Sequence, residues 1–291
     1  MPGGFEAALG EITLVLFTTL APSGTVAFIV MSLVLFFAPL DDALRRRINQ
    51  FLCIPLVVTL VGLVASATHL GNPANALYVL LGVGRSPLSN EVFAAVFFLG
   101  LAGTYWLLSF SETPRLRLQK LWLIPTVLAG LVLVSAIAFA YAADTIISWN
   151  SAYVPLSLWL NALLGGPLLA LASLRVARLQ DARGMLGRAL CLVSGVALVA
   201  NSAVYGLQNA TLASTVNSYA SAADLVPYYP AMIAAFSVLA AAGIALSAST
   251  HLRGKKGSLP FDIAACTLVF AGIFIMRFAF YMMHMTVGIS F

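Results

Sequence analysis

Eight long apolar runs constrain this chain more than any other feature of its sequence. A helix needs about 20 mostly apolar residues to cross the roughly 30 Å hydrocarbon core of a bilayer. The runs lie near residues 12–37, 48–69, 90–108, 121–142, 154–174, 185–205, 229–248 and 261–284. They are continuous and show no alternation of polar and apolar residues, which favours helices over the strands of a membrane barrel. The sequence therefore predicts an all-α integral membrane protein, a bundle of eight transmembrane helices.

The composition excludes water-soluble alternatives. Of the 291 residues, 61% are apolar and 9% are charged, whereas a soluble domain carries about a quarter of its residues as charges. Because so few charges cannot coat a globule of this size, a soluble enzyme and a nucleic-acid binder are both excluded. No stretch is long or polar enough for a separate soluble domain, and we expect residues 1–291 to form a single transmembrane domain.

Basic residues predict the orientation of the bundle. Thirteen of the 15 lysines and arginines follow the first, third, fifth and seventh runs, and the two exceptions are Arg85 and Arg277. The positive-inside rule places such connections in the cytoplasm, which puts both termini on the outer, periplasmic side. The N-terminal segment carries Glu6 and Glu11 and no basic residue, so we expect the first run to be retained rather than cleaved as a signal peptide. The thirteen are Arg45, Arg46, Arg47, Arg115, Arg117, Lys120, Arg175, Arg178, Arg183, Arg188, Arg253, Lys255 and Lys256.

Cysteine usage argues against metal chemistry in this chain. Cys53, Cys191 and Cys266 each lie inside an apolar run without the spacing of a metal-binding motif. We therefore expect no iron–sulfur cluster, no zinc site and no disulfide framework here.

A few ionisable residues lie inside the predicted spans or at their outer ends, where such groups are costly and often functional. In the last run, Arg277, Tyr281 and His284 follow helical spacing and are predicted to share one face. His69 closes the second run and Glu91 opens the third, both at the predicted outer end. A carboxylate, imidazoles and a phenol at one depth predict a site that binds and deprotonates a two-proton ligand from the lipid.

Other interpretations of these residues remain open. Ser89 or Asn90 could cap a helix start, with Glu91 in the first turn favoured by the helix dipole. Arg277 could form a structural ion pair. His69 and His284 satisfy the minimum for a haem b cytochrome with two histidine ligands. A secondary transporter would require a charged site at the bilayer midplane, and only Arg277 is a candidate for one.

Five short motifs carry a resemblance to a known family. They are His-Leu-Gly-Asn-Pro at 69–73, Leu-Ser-Asn-Glu at 88–91, Gly-Gly-Pro-Leu-Leu at 165–169, Ala-Asp-Leu-Val-Pro at 223–227, and His-Met-Thr-Val-Gly at 284–288. Together they span most of the chain in order. In these motifs the sequence resembles the anchor subunit of dimethyl sulfoxide reductases, a family related to the polysulfide reductase anchors.

The resemblance implies a function that composition alone does not. Members of that family are eight-helix anchors in the bacterial inner membrane that hold no haem or cluster and oxidise menaquinol from the quinone pool near the outer face. Their electrons pass to a subunit with four [4Fe–4S] clusters and then to a molybdopterin catalytic subunit, in anaerobic respiration. The family's quinol-site carboxylate matches Glu91 and its histidine matches His69. Arg277, Tyr281 and His284 match family positions, and we predict that they help to bind the quinol.

The chain would thus carry the quinol half-reaction and never contact the terminal substrate. The direction of electron flow stays open at this point, because the anchor of a related sulfite-oxidising complex would reduce quinone at the same site.

Overall fold

The computed structural model describes residues 4–69, 73–111, 115–249 and 258–286, and these residues form helices joined by short connections. Residues 70–72 and 287–288 of the motifs, and the basic residues at 253, 255 and 256, lie outside the described residues. Two 3₁₀ helices cover Pro73–Gly82 and Gln180–Arg183. The α-helices are α1 (Gly4–Gly10), α2 (Ile12–Phe37), α3 (Asp42–Phe51), α4 (Cys53–Thr68), α5 (Pro87–Leu108), α6 (Leu116–Ala140), α7 (Tyr153–Val176), α8 (Met185–Leu212), α9 (Ala222–Leu225), α10 (Tyr229–Ser249) and α11 (Ser258–Met282).

The prediction of eight membrane-spanning helices is confirmed. In the described part of the chain, eight helical segments are long and apolar enough to cross a bilayer, with α3 and α4 together forming the second. We call the end where α2 begins and α11 ends the arginine-poor end, and the opposite end the arginine-rich end. That the arginine-poor end faces outwards stays a prediction from the charge pattern.

The second span begins six residues earlier than predicted, at Asp42. Asp41 caps α3 by accepting a hydrogen bond from the Leu44 N–H at 2.7 Å, which starts the helix before the apolar run. Arg45 is buried and donates from Nη1 to the Leu35 carbonyl at 2.9 Å. That carbonyl belongs to the last turn of α2, where main-chain acceptors lack a partner within the helix. The arginine triplet thus lies on a helix rather than in a connection.

Helices α2 and α7 form the centre of the bundle and pack closely on their neighbours. A side chain at Gly62 in α4 would place its Cβ 2.8 Å from the main-chain nitrogen of Ala21 in α2. At Gly166 in α7 it would lie 2.5 Å from a methyl carbon of Val26. Small residues at these crossings allow the close backbone approach on which helix association in lipid depends.

A buried ion pair ties three helices together near the arginine-rich end. Arg175 of α7 forms an ion pair with Asp262 of α11, and both side chains are almost fully buried. The same guanidinium donates to the Ser247 carbonyl of α10 at 3.1 Å. Arg175 was predicted to lie in the connection after the fifth run, but it belongs to the last turn of α7, and its charge is neutralised inside the bundle.

Segments beyond the helix ends close the arginine-poor end. The Ile147 N–H donates to the Met285 carbonyl at 3.0 Å, and Asn217 donates to the Thr286 carbonyl at 3.2 Å. The short helix α1 packs on α11, with the rings of Phe5 and Phe278 5.3 Å apart. The contacts to Met285 and Thr286 fix the described residues that follow α11, including His284.

Candidate functional site

Glu91 lies inside the bundle rather than at a helix cap. Helix α5 begins at Pro87, and its cap is Ser86, whose hydroxyl accepts from the Ser89 N–H. Asn90 accepts a hydrogen bond from the Gly84 N–H at 2.7 Å, before the helix. The interpretation of Glu91 as a first-turn residue behind a cap at Ser89 or Asn90 is therefore wrong. Glu91 is 3% exposed, and its Oε2 has no hydrogen-bond partner among the described residues, which is costly for a buried carboxylate.

Arg277 is also buried, with 1% of its surface exposed. Its Nε donates to the Thr18 hydroxyl of α2 at 2.9 Å. Its guanidinium carbon lies 4.1 Å from the ring centre of Phe280 and 5.7 Å from those of Tyr141 and Tyr281. Aromatic faces stabilise a desolvated cation by about 2 kcal/mol or more. Among the described residues no carboxylate forms an ion pair with Arg277, so a structural salt bridge does not explain its position.

Three buried polar atoms near Tyr141 have no hydrogen-bond partner among the described residues: Glu91 Oε2, Arg277 Nη2 and the Tyr281 hydroxyl. Tyr141 links them. Its ring centre lies 5.9 Å from that of Tyr281, and its phenol is close enough to Glu91 and Arg277 to interact with both charges. We call Glu91, Tyr141, Arg277 and Tyr281 the buried cluster. A buried polar group without a partner costs about 1–3 kcal/mol, and such a group often marks a place for a ligand or ordered water.

The two predicted histidines lie closer to the surface, where they share an acidic neighbour. His69 Nε2 is 3.1 Å from Glu11 Oε2. His284 packs its ring 5.0 Å from that of Trp149. Burial lowers the pKa of His284, and the nearby carboxylate of Glu11 raises it, so Glu11 interacts with both imidazoles. We call Glu11, His69 and His284 the rim cluster.

The predicted ionisable groups differ in burial: Glu91, Arg277 and Tyr281 are buried, whereas His69 and His284 are exposed. Within the described residues, no hydrogen bond or ion pair joins His69 or His284 to Glu91. Helix α11 ends at Met282, so His284 does not share the helix face of Arg277 and Tyr281, and that part of the prediction is wrong.

Trp149 contacts both clusters. Its ring centre lies 5.6 Å from that of Tyr281 in the buried cluster and 5.0 Å from that of His284 in the rim cluster. Its indole N–H donates to the Phe280 carbonyl at 3.1 Å, which holds the ring between the two clusters.

Glu11 was not predicted as a site residue, because it precedes the first apolar run and its sequence position indicates only the absence of a basic signal-peptide region. A buried polar network was missed as well. Asn161 donates to the Tyr205 hydroxyl at 2.8 Å and accepts from Asn201 at 2.8 Å, and the Tyr229 hydroxyl donates to Gln208 at 2.9 Å. The members of this network are not ionisable in the physiological range, and the available signal was uncharged amides inside apolar runs. Tyr205 and Tyr229 both interact electrostatically with Arg277, so the network borders the buried cluster.

A groove of about 480 Å³ lies between α5 and α6 at the arginine-poor end, beside the buried cluster. Its walls are mostly apolar and include Leu131, Val132 and Phe139, and Pro87 and Asn90 line its α5 side. Glu91 follows Asn90 directly but does not line the groove, because its side chain is buried within the bundle.

Comparison with known protein families supports the resemblance seen in the motifs. Residues 5–283 match the family described as DMSO reductase anchor subunit (DmsC). The chain belongs to this family. Anaerobic dimethyl sulfoxide reductase chain YnfH of Escherichia coli K12 is 34% identical over 280 residues, which cover 96% of this chain and 97% of the relative.

Two further relatives are as similar along nearly their whole length. The C subunit of the anaerobic dimethyl sulfoxide reductase of the same organism is 34% identical over 281 residues, covering 96% of this protein and 97% of the relative. The C subunit of the Haemophilus influenzae enzyme is 33% identical over 290 residues, covering 98% and 99%. With its eight apolar helices, this anchor subunit is a multi-pass bacterial membrane protein, as predicted. Membership in the family implies catalytic and iron–sulfur partner subunits.

Proposed function

We propose that this chain is the quinol-oxidising anchor subunit of a dimethyl sulfoxide reductase-type complex in a bacterial inner membrane. The buried cluster is the binding site for the quinol headgroup, and menaquinol is the proposed donor. One observation carries the proposal: Glu91 Oε2, Arg277 Nη2 and the Tyr281 hydroxyl are buried, close to Tyr141, and without a partner in the described part of the chain. An acceptor beside two donors matches a ring with two hydroxyl groups.

The chemistry follows from the charges of these groups. Oxidation of one quinol to quinone breaks two O–H bonds and releases two protons and two electrons. The Glu91 carboxylate accepts the first proton when a quinol hydroxyl binds within hydrogen-bond distance of it. Such reach is the first requirement of a general base. The guanidinium of Arg277 stabilises the negative oxygen that remains, and its low exposure makes that interaction stronger than in water. The Tyr281 hydroxyl donates to the same oxygen or to the second one.

The groove between α5 and α6 supplies a lipid-side approach to this site. Its apolar walls suit the isoprenoid tail of a quinol, which would remain in contact with the bilayer. The headgroup would then pass between the outer turns of the two helices towards Glu91 and Tyr141.

Protons leave through the rim cluster. The low pKa of His284, which follows from its burial, favours a neutral imidazole that can accept a proton. The Glu11 carboxylate lies 3.1 Å from His69 Nε2 and so joins the two imidazoles of the rim cluster. In the predicted orientation these groups release protons on the outer side. Quinone reduction in a sulfite-oxidising complex would run the same steps in reverse.

The partners are proposed from the family and from the names of the relatives, which belong to dimethyl sulfoxide reductases. An iron–sulfur subunit with four [4Fe–4S] clusters accepts the electrons, and a molybdopterin subunit reduces the terminal substrate. An anchor that contributes only the quinol half-reaction needs no redox cofactor of its own if the first [4Fe–4S] centre of the partner lies close to the quinol-binding side chains.

The test is Glu91→Gln in the assembled complex, measured as quinol-dependent reduction of the partner's clusters. General-base catalysis contributes about 10²–10⁴-fold, so we expect a loss of at least about a hundredfold. Glu6→Gln removes an exposed carboxylate from α1 at the same end of the bundle and serves as the matched control. Direct chemical reduction of the clusters shows that the complex is intact. An unchanged quinol-dependent rate would contradict the role of Glu91.

A further inference from the structure

A second groove, of about 1140 Å³, lies at the arginine-rich end, far from the buried cluster along the helices. It runs between the last turns of α2, the start of α3 and the first turns of α8. Both the α2 side and the α8 side of its wall are apolar. The wall side chains are Val30, Leu33, Val34 and Phe37 of α2 and Leu186 and Leu190 of α8.

The apolar wall of the groove spans about two-thirds of one leaflet. From Val30 to Phe37 a helix rises about 10 Å at 1.5 Å per residue, and one leaflet contributes about half of the roughly 30 Å hydrocarbon core. Leu33 is 42% exposed and Phe37 is 74% exposed, so the wall is open to the hydrocarbon region. A groove of this depth and composition accommodates an acyl chain.

The mouth of the groove carries balanced charge. Arg47 and Arg178 line it together with Asp41 and Asp181, and all four side chains are exposed. Among the described side chains, none of the four belongs to an ion pair. The Asp41 carboxylate accepts from the Leu44 N–H, whereas Asp181 makes no side-chain hydrogen bond within the described residues. Two cations beside two anions match a headgroup that carries both a phosphate and an ammonium group.

Arg178, at the mouth of the groove, has an unfavourable backbone conformation. Its φ is 66°, the only positive φ among the described non-glycine residues. It follows α7 at the position where the Leu179 N–H bonds to the Leu174 carbonyl at 3.0 Å, a helix end that usually carries glycine. The left-handed conformation is sterically unfavourable for an L-residue other than glycine. An arginine at this place is therefore better explained by what its side chain binds than by the turn.

We propose that this groove binds one zwitterionic aminophospholipid of the phosphatidylethanolamine type. Arg47 and Arg178 hold the phosphate by charge-assisted hydrogen bonds, and Asp181 faces the ammonium group. One acyl chain lies along α2 and α8. Basic pockets between transmembrane helices are known to bind the phosphate groups of lipids, and here the two aspartates add a place for an ammonium group. The site is independent of the quinol site and remains whether or not the protein oxidises quinol.

The experiment is native mass spectrometry of the purified complex released from nanodiscs of equal phosphatidylethanolamine and phosphatidylglycerol. We expect one bound phosphatidylethanolamine in preference to phosphatidylglycerol. R47Q/R178Q should reduce its retention about tenfold or more, as expected when charge-assisted hydrogen bonds are lost. Arg46→Gln, an exposed neighbour that does not line this groove, is the matched control and should retain the lipid.

Two further variants separate the headgroup from the acyl tail. Asp181→Asn should abolish the preference for phosphatidylethanolamine while a phospholipid stays bound. Leu33→Trp fills the groove from an exposed position without changing any charge, and it should release the lipid. The proposal is overturned if the wild type retains no phospholipid. It is equally overturned if Arg46→Gln releases lipid as much as R47Q/R178Q does, or if phosphatidylglycerol is retained equally well.

Discussion

Arg277 offers the sharpest test of how the buried cluster works. The substitution Arg277→Lys keeps a positive charge at the site but removes the planar fork. Nε, which donates to Thr18 at 2.9 Å, and Nη2, which has no partner among the described residues, are both lost. A lysine is a single-point donor and cannot serve Thr18 and a ligand oxygen in the same geometry.

The expected magnitude follows from the missing hydrogen bond. A hydrogen bond to a charged group contributes about 1.5–3 kcal/mol, and each 1.4 kcal/mol corresponds to a factor of ten. Arg277→Lys should therefore lower kcat/KM for quinol oxidation by roughly 10- to 150-fold. If Nη2 binds the oxygen as negative charge develops, kcat falls with kcat/KM and KM changes little.

The assay is steady-state quinol oxidation by the assembled complex, with thermal unfolding measured on the same preparations. Thr18→Val is the control, because it leaves the whole guanidinium in place and removes the protein acceptor of Nε together with the hydroxyl's own hydrogen bond to the Leu14 carbonyl. We expect it to lower stability more than turnover. If Arg277→Lys oxidises quinol at the wild-type rate while the complex remains stable, the guanidinium does not bind the substrate and the buried cluster is a structural feature only.

Two further predictions concern the rim and the helix packing. Glu11→Gln removes the carboxylate that raises the pKa of His284. We therefore expect a lower plateau rate and an acidic limb of the pH–rate profile moved to lower pH, and a loss of rate without that movement would assign Glu11 a structural role. Gly62→Leu forces a side chain against the backbone of α2, because even an added Cβ would lie 2.8 Å from the Ala21 nitrogen. Such overpacking should lower the stability by about 1–3 kcal/mol. Gly100→Leu is the matched control, because a Cβ there meets no atom within 4 Å, and equal thermal stability of the two variants would refute the packing argument.

Much of the candidate site could be assembled from the sequence because rare ionisable residues stand out in apolar runs. Glu91, Arg277 and Tyr281 were all selected in that way. Their separation from His69 and His284 could not be predicted, since helical spacing gives the face of a residue but not where the helix ends. Met282 ends α11, and only the contacts of the following segment place His284 at the rim.

The start of α5 shows the same limit at a smaller scale. Ser86, Ser89 and Asn90 are all good capping residues, so capping preference by itself does not select among them. Ser86 is the cap because Pro87, the next residue, suits the first helical position. With the cap at Ser86, Glu91 lies beyond the first turn, where helix packing buries it. A shift of one helical turn thus changes the chemistry available to a carboxylate.

Hydrophobic length and charge distribution were sufficient to define the membrane character, the number of spans and the helical class of this protein, because lipid imposes those requirements on each segment separately. The meeting of Glu91, Tyr141, Arg277 and Tyr281, and the pairing of Glu11 with His69, depend on how five or more separate segments pack. No local pattern encodes the distance between groups on different helices. Packing alone leaves three buried polar atoms without a partner among the described residues, and that is the feature from which a function can be argued.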